Sequence, residues 1–128
     1  MKSVRESVMS AYILVVEDEP ETAAFLTQIL ERLGYEVAVA HNGEEALDQI
    51  HTRRPNLALV DLVMPGIGGW ELVRRIRQDR SIQQVPILIC TAHRGARTTG
   101  GLVQGTLYKP FGLEEIAEKI REALAHSP

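Results

Sequence analysis

Along the chain, short solid apolar runs alternate with longer stretches whose apolar positions recur every three or four residues. The first pattern reads as strands buried on both faces, the second as helices with one buried stripe. Tyr12–Val16 is the first strand run. Pro20 suits the first turn of a helix capped by Glu19 or Asp18. That helix is predicted to turn Ala24, Phe25, Ile29, Leu30 and Leu33 inward and to stop at Gly34. Val37–Ala40 is a second strand. Asn42 and Glu45 have the spacing of a capping box for a helix through Ile50, packing Ala46, Leu47 and Ile50. Leu57–Asp61 is a third strand, followed by a Pro/Gly loop from Leu62 to Gly69. A helix from Trp70 to Asp79 carries Leu72, Val73 and Ile76 on its stripe. Pro86–Thr91 is a fourth strand and Thr106–Tyr108 a weak fifth. Leu113–Ala125 closes the chain as a helix with Ile116, Ile120, Ala123 and Leu124 inward. Residues 92–105 hold Gly95, Gly100, Gly101 and Gly105, and the pattern leaves open whether they form a helix.

Strands alternating with helices imply βαβ crossovers and a parallel sheet covered on both faces. At this length the expected architecture is α/β, a flavodoxin-like doubly wound (βα)5 fold with a five-stranded parallel sheet of order 2-1-3-4-5. The 128 residues suit one domain, placed at 11–128, with residues 1–10 as a mobile N-terminal extension and no room for an output domain. A net charge of -3 argues against direct nucleic-acid binding. No apolar run is long enough to span a bilayer, and the first ten residues do not read as a secretion signal. A single cysteine excludes an internal disulfide, and these features together suit a cytoplasmic protein. Cys90 lies within the fourth strand and reads as an inert core residue.

The chemistry gathers at strand ends. Glu17-Asp18-Glu19 follows strand 1, Asp61 ends strand 3, Thr91 ends strand 4, and Lys109-Pro110 follows strand 5. In this fold, carboxyl ends of strands share one edge, and ligands bind near the switch point between strands 1 and 3. Clustered carboxylates repel and call for a cation or a protonated member; oxygen-only donors without a His/Cys set point to a hard cation, Mg²⁺. A divalent cation, an ammonium and a hydroxyl around one carboxylate suit a phosphoryl group on it, with Asp61 as the nucleophile. Each residue also has a plainer reading: Glu17–Glu19 as helix capping, Asp61 as a strand end, Lys109 as a solvated surface charge, Thr91 as a strand residue. Their joint placement favours the site. The four histidines lack zinc-ligand spacing, with only His93 placed near the site rim. Gly95 to Gly100 lacks the Lys-Ser/Thr of a phosphate loop, and Gly66-Ile-Gly-Gly lacks the third dinucleotide glycine.

The segments ILVVEDEP (Ile13–Pro20), LALVDLVMPGIGGWEL (Leu57–Leu72), PILICTA (Pro86–Ala92) and YKPF (Tyr108–Phe111) resemble the receiver domains of two-component response regulators, across about Tyr12 to Ala125. The resemblance implies that Asp61 accepts a phosphoryl group from a sensor histidine kinase or histidine phosphotransfer protein. It implies Mg²⁺ held by Asp18, Asp61, Glu17 and the Val63 backbone carbonyl. Lys109 would pair with a phosphoryl oxygen and Thr91 would swing its hydroxyl towards it. Pro110 would follow a cis bond, and Val63 and His93 would tune dephosphorylation. Output would be protein–protein contact by a monomer or weak dimer. Glu17 departs from the commoner Asp. Thr106 occupies the usual switch-aromatic position, and Tyr108 is expected to face the other way. Two alternatives stay open: a receiver-shaped module that is not phosphorylated, and an aspartyl-nucleophile phosphatase. The phosphatase would need an acid where Val63 stands.

Overall fold

A computed structural model describes residues 11–93 and 101–125. The N-terminal extension expected at residues 1–10, and the heart of the 92–105 segment, lie outside the described residues. Five strands form one parallel sheet: β1 (Tyr12–Val16), β2 (Glu36–Ala40), β3 (Leu57–Asp61), β4 (Ile87–Thr91) and β5 (Gly105–Tyr108). Their order is β2-β1-β3-β4-β5, as predicted, with β1 and β3 as hydrogen-bonded neighbours. The described helices are α1 (Pro20–Arg32), α2 (Gly43–Thr52), α3 (Gly69–Gln78) and α4 (Leu113–Ala125).

Period-two alternation sorts strand residues between two cores. Leu14, Val16, Ala58, Val60, Ile87 and Ile89 face α2 and α3, meeting Ala46, Ile50, Leu72, Val73 and Ile76. Ile13, Val15, Leu57, Leu59, Leu88, Cys90 and Leu107 face α1 and α4, meeting Leu26, Leu30, Ile116, Ile120 and Ala123. Every residue of β1, β3 and β4 is buried, which is why those strands read as unbroken apolar runs.

Local chemistry sets the helix ends. Pro20 opens α1 after Glu19, which makes no side-chain cap bond. Gly34 (φ 98°) closes it: the Gly34 N–H donates to Glu31 O (3.0 Å) and the Tyr35 N–H to Leu30 O (3.1 Å). This is a Schellman arrangement, and its left-handed residue favours glycine. Asn42 Oδ1 accepts the Glu45 N–H at 2.8 Å and caps α2. Only half of the expected capping box forms, because Glu45 Oε1 accepts from Gln49 Nε2 (3.3 Å) instead.

Two sequence expectations are corrected. The inward face of α1 is Ala23, Leu26 and Leu30; Ala24 is exposed and Phe25 is 48% exposed. Tyr108 does not face away from Thr106. Thr106 pairs with Ile89 and Tyr108 with Thr91, so Thr106 and Tyr108, two apart on one strand, share a face. Thr106 is buried, and its hydroxyl lacks a hydrogen-bond partner among the described residues.

Candidate functional site

The sheet order brings the ends of β1 and β3 together. Val16 pairs with Val60, so Glu17 and Asp61 leave neighbouring strands at the same level. The ladders continue one residue past the strands. The Glu17 N–H donates to Ala40 O (3.0 Å), the Leu62 N–H to Cys90 O (2.9 Å) and the Lys109 N–H to Thr91 O (2.8 Å). Backbone bonding therefore fixes the chain at Glu17, Asp61 and Lys109 before any side chain acts. The chain then leaves β1 for α1 on one face and leaves β3 for α3 on the other. This divergence creates the crevice at the switch point.

Glu17, Asp18 and Asp61 each offer a carboxylate oxygen within 4.8 Å of the other two. Lys109 Nζ lies 3.3 Å from Glu17 Oε1 and 3.5 Å from Asp61 Oδ1. Glu17 is 2% exposed and Asp61 6%. The second Glu17 oxygen accepts the Glu19 N–H at 3.2 Å. Burial pushes the Glu17 carboxyl up to about 7, and the neighbouring Asp61 charge adds to this while the Glu19 N–H and Lys109 oppose it. For Lys109, burial favours the neutral amine, but Asp61 and Glu17 outweigh it and its pKa is raised. With all three carboxylates ionised, one ammonium leaves two formal negative charges, which a divalent cation neutralises. Hard oxygen donors, one of them half-buried and open to water, fit Mg²⁺, which keeps part of its hydration shell.

Thr91 ends β4 and is 2% exposed. Its Oγ1 accepts the His93 backbone N–H at 3.0 Å, so the hydroxyl is held within its own loop. The His93 residue is exposed. Val63, two residues past Asp61, is 76% exposed, and its N–H donates to Asp61 Oδ1 at 3.4 Å. The peptide bond between Lys109 and Pro110 is cis. Cys90 is buried, with its thiol pushed up to about 12 by burial, in keeping with a core role.

Glu17, Asp18, Asp61 and Lys109 thus converge as the sequence predicted, Thr91 ends the adjoining strand β4, and Val63 lies on the loop after β3. Sequence reasoning missed that Lys109 spans two carboxylates, since nothing local signals a contact across 92 residues. It also missed a shallow groove of about 310 Å³ beside the site, lined by Glu21, Thr22, Phe25, Lys109, Pro110 and Phe111.

Known proteins share the fold and part of the sequence. Residues 13–121 match the model of the response regulator receiver domain family. YkoG of Bacillus subtilis, a transcriptional regulatory protein, is 39% identical over 88% of this chain and 50% of its own length. The response regulator MprA of Mycobacterium tuberculosis is 38% identical over 91% of this chain and 51% of its own. The chain thus spans about half the length of these curated relatives. The response regulator protein TrrA from Thermotoga maritima, solved in complex with Mg²⁺ and BeF, superposes with a TM-score of 0.80 at 33% identity, covering 88% of this chain and 98% of that one. No described helix is long and apolar enough to cross a membrane. With residues 13–121 matched and the strand order in agreement, the chain belongs to the response regulator receiver domain family.

Proposed function

We propose that Asp61 is the phosphoacceptor of a phosphorylation-switched signalling protein, with a histidine kinase or histidine phosphotransfer protein as donor. The observation that carries this reading is the buried Asp61 carboxylate, set among Glu17, Asp18 and the Lys109 ammonium. An Asp61 oxygen attacks the donor phosphorus in line; the P–N bond to the donor imidazole breaks, and its electron pair returns to the ring nitrogen. Glu17, Asp18, Asp61 and the Val63 carbonyl would hold Mg²⁺, whose charge would neutralise the transferring oxygens. Lys109 stands 3.5 Å from Asp61 and pairs with an oxygen of the new phosphoryl group. Thr91 gives up the His93 N–H, a bond worth about 1 kcal/mol net, and turns its hydroxyl towards the same group. The added dianion draws in the loops after β3 and β4 and changes the surface that a protein partner meets.

The phosphatase alternative finds no support at position 63, where an exposed valine offers no general acid or base. The test is incubation with acetyl phosphate and Mg²⁺ followed by intact-mass measurement. Wild type gains one phosphoryl mass; Asp61→Asn, and wild type in EDTA, gain none. Equal labelling of wild type and Asp61→Asn refutes the assignment, and sustained multiple turnover on a phosphomonoester without a phosphoprotein revives the enzymatic alternative.

A further inference from the structure

The loop of residues 62–68 frames Asp61, and one end of it is closed by backbone contact. The Gly69 N–H donates to Leu62 O at 3.1 Å. A Cβ on Gly69 would lie 2.6 Å from Asp61 O and 2.8 Å from Leu62 Cα, so only glycine fits. Beyond that base the loop is open: Val63, Pro65 and Gly66 are exposed, and Gly66 takes φ +77°. Two side chains tie it down: Met64, 8% exposed within the core beneath α2 and α3, and Ile67 on the far side. Ile67 is partly buried against that same core.

Ile67 sits on Gly43, the first residue of α2. A Cβ there would overlap Ile67 Cγ1 and Cδ1 and lie 3.5 Å from Ile67 O. This contact accounts for glycine here. Gly43 is not in the left-handed region. The helix is already capped by Asn42. Almost any other residue propagates a helix better than glycine. The next residue of α2 repeats the contact, since the Glu44 carboxylate lies 3.6 Å from where a Gly66 Cβ would stand. The chain leading into α2 is itself tied to the acidic edge, because Ala40 O accepts the Glu17 N–H.

We propose that Gly43 and Ile67 form a notch and knob that position the 62–68 loop, making both of them positioning residues for the cation and phosphoryl site. The chemical consequence rests on the function proposed above; the mechanical one does not. Shape carries the selectivity: an interior packed at crystal-like density transmits the displacement of one side chain to the backbone it hangs from. Through Ile67 that backbone includes Val63, which flanks Asp61.

The experiment compares wild type, Gly43→Ala, Ile67→Ala and the double variant, in the full chain. It follows Mg²⁺ binding by Trp70 fluorescence or calorimetry and backbone hydrogen exchange at Val63, Met64, Gly66 and Ile67. Gly43→Ala is expected to weaken Mg²⁺ affinity about tenfold, as loss of a supporting contact does at metal sites, and to speed loop exchange by a similar factor. In the double variant the new methyl fills the space that Ile67 vacates, so Mg²⁺ affinity and protection recover to at least the level of Ile67→Ala. A helix-propensity effect of Gly43→Ala would not be rescued by truncating Ile67. Wild-type affinity and exchange in Gly43→Ala, or a double variant as impaired as Gly43→Ala, overturns the proposal. Failure of wild type to bind Mg²⁺ sinks the functional reading instead, and the exchange comparison still decides the notch and knob.

Discussion

Asp61→Asn removes a negative charge that the fold holds against two others, and so it should stabilise the metal-free protein. The carboxylate oxygens of Glu17, Asp18 and Asp61 lie within 4.8 Å of one another, and Lys109 Nζ lies 3.5 Å from Asp61. At an effective dielectric of about 20, each carboxylate pair at 4.8 Å repels by roughly 3.5 kcal/mol, while the lysine attracts by about 4.7 kcal/mol. Two repulsions outweigh one attraction by about 2 kcal/mol, and solvent screening at the partly exposed Asp18 and Lys109 reduces this to about 1 kcal/mol. For a domain of this size that is about 3–5 °C in Tm. The gain depends on pH. Burial raises the folded Glu17 pKa to about 7, above its ordinary 4.5. The folded state therefore binds the proton more tightly than the unfolded chain, and wild-type stability falls as pH rises from 4.5 through 7. At pH 8 Glu17 is charged and Asp61→Asn gains most; at pH 6 Glu17 is largely protonated and the gain shrinks. Mg²⁺ reverses the order, because a ligand at about 100 times its Kd adds about 2.7 kcal/mol to wild type and little to the variant. Thermal melts in EDTA and in Mg²⁺ at pH 6, 7 and 8 measure all of this. A variant that melts below wild type at pH 8 in EDTA refutes the electrostatic reasoning.

Further outcomes follow from other parts of the molecule. His51 Nδ1 faces Leu47 O at 2.8 Å and Nε2 faces Asp79 Oδ2 at 2.7 Å, so both ring nitrogens meet acceptors and the imidazolium is favoured. NMR titration should give His51 a raised pKa that Asp79→Asn returns towards its ordinary value; the pair's stabilisation is full between about pH 4 and pH 6.5, fades as pH rises through the shifted His51 pKa, and is lost in acid as Asp79 protonates at about 2. Asn42→Ala removes the α2 cap and should cost about 1 kcal/mol in urea unfolding. Leu72→Ala, emptying a fully buried site, should cost about 2–5 kcal/mol in the same assay. Cys90 should resist thiol labelling in native protein and react once unfolded, since its thiol is buried and pushed up to about 12.

The strands were legible because the sheet is covered on both sides. Tyr12–Val16 and Leu57–Asp61 must be apolar throughout, and only Asp61 breaks the pattern, at the edge where ligands meet this fold. Helix α1 was harder. Ala23, Ala24, Phe25 and Leu26 are all apolar and offer two stripes one residue apart. Periodicity cannot choose between them; packing of Leu26 and Leu30 on the sheet does. Strand parity was misjudged at Tyr108: residues two apart on a strand share a face, so Tyr108 lies on the side of Thr106. Contacts between long polar side chains and distant backbone left no trace in the sequence. Arg77 donates to the carbonyls of Leu102, Gln83 and Val85 at 2.7–2.8 Å, joining α3 to the approach to β5. Its neighbours Arg74 and Arg75 instead pair with Glu71 on the same helix. The sequence does not distinguish the three.

Lys109 reaches Glu17 across 92 positions and Asp61 across 48. No fragment of the chain contains a miniature of this pocket. During synthesis its last constituent arrives only when the final strand docks beside β4. The pocket is therefore a property of the assembled sheet, and a chain that stops short of β5 lacks its ammonium.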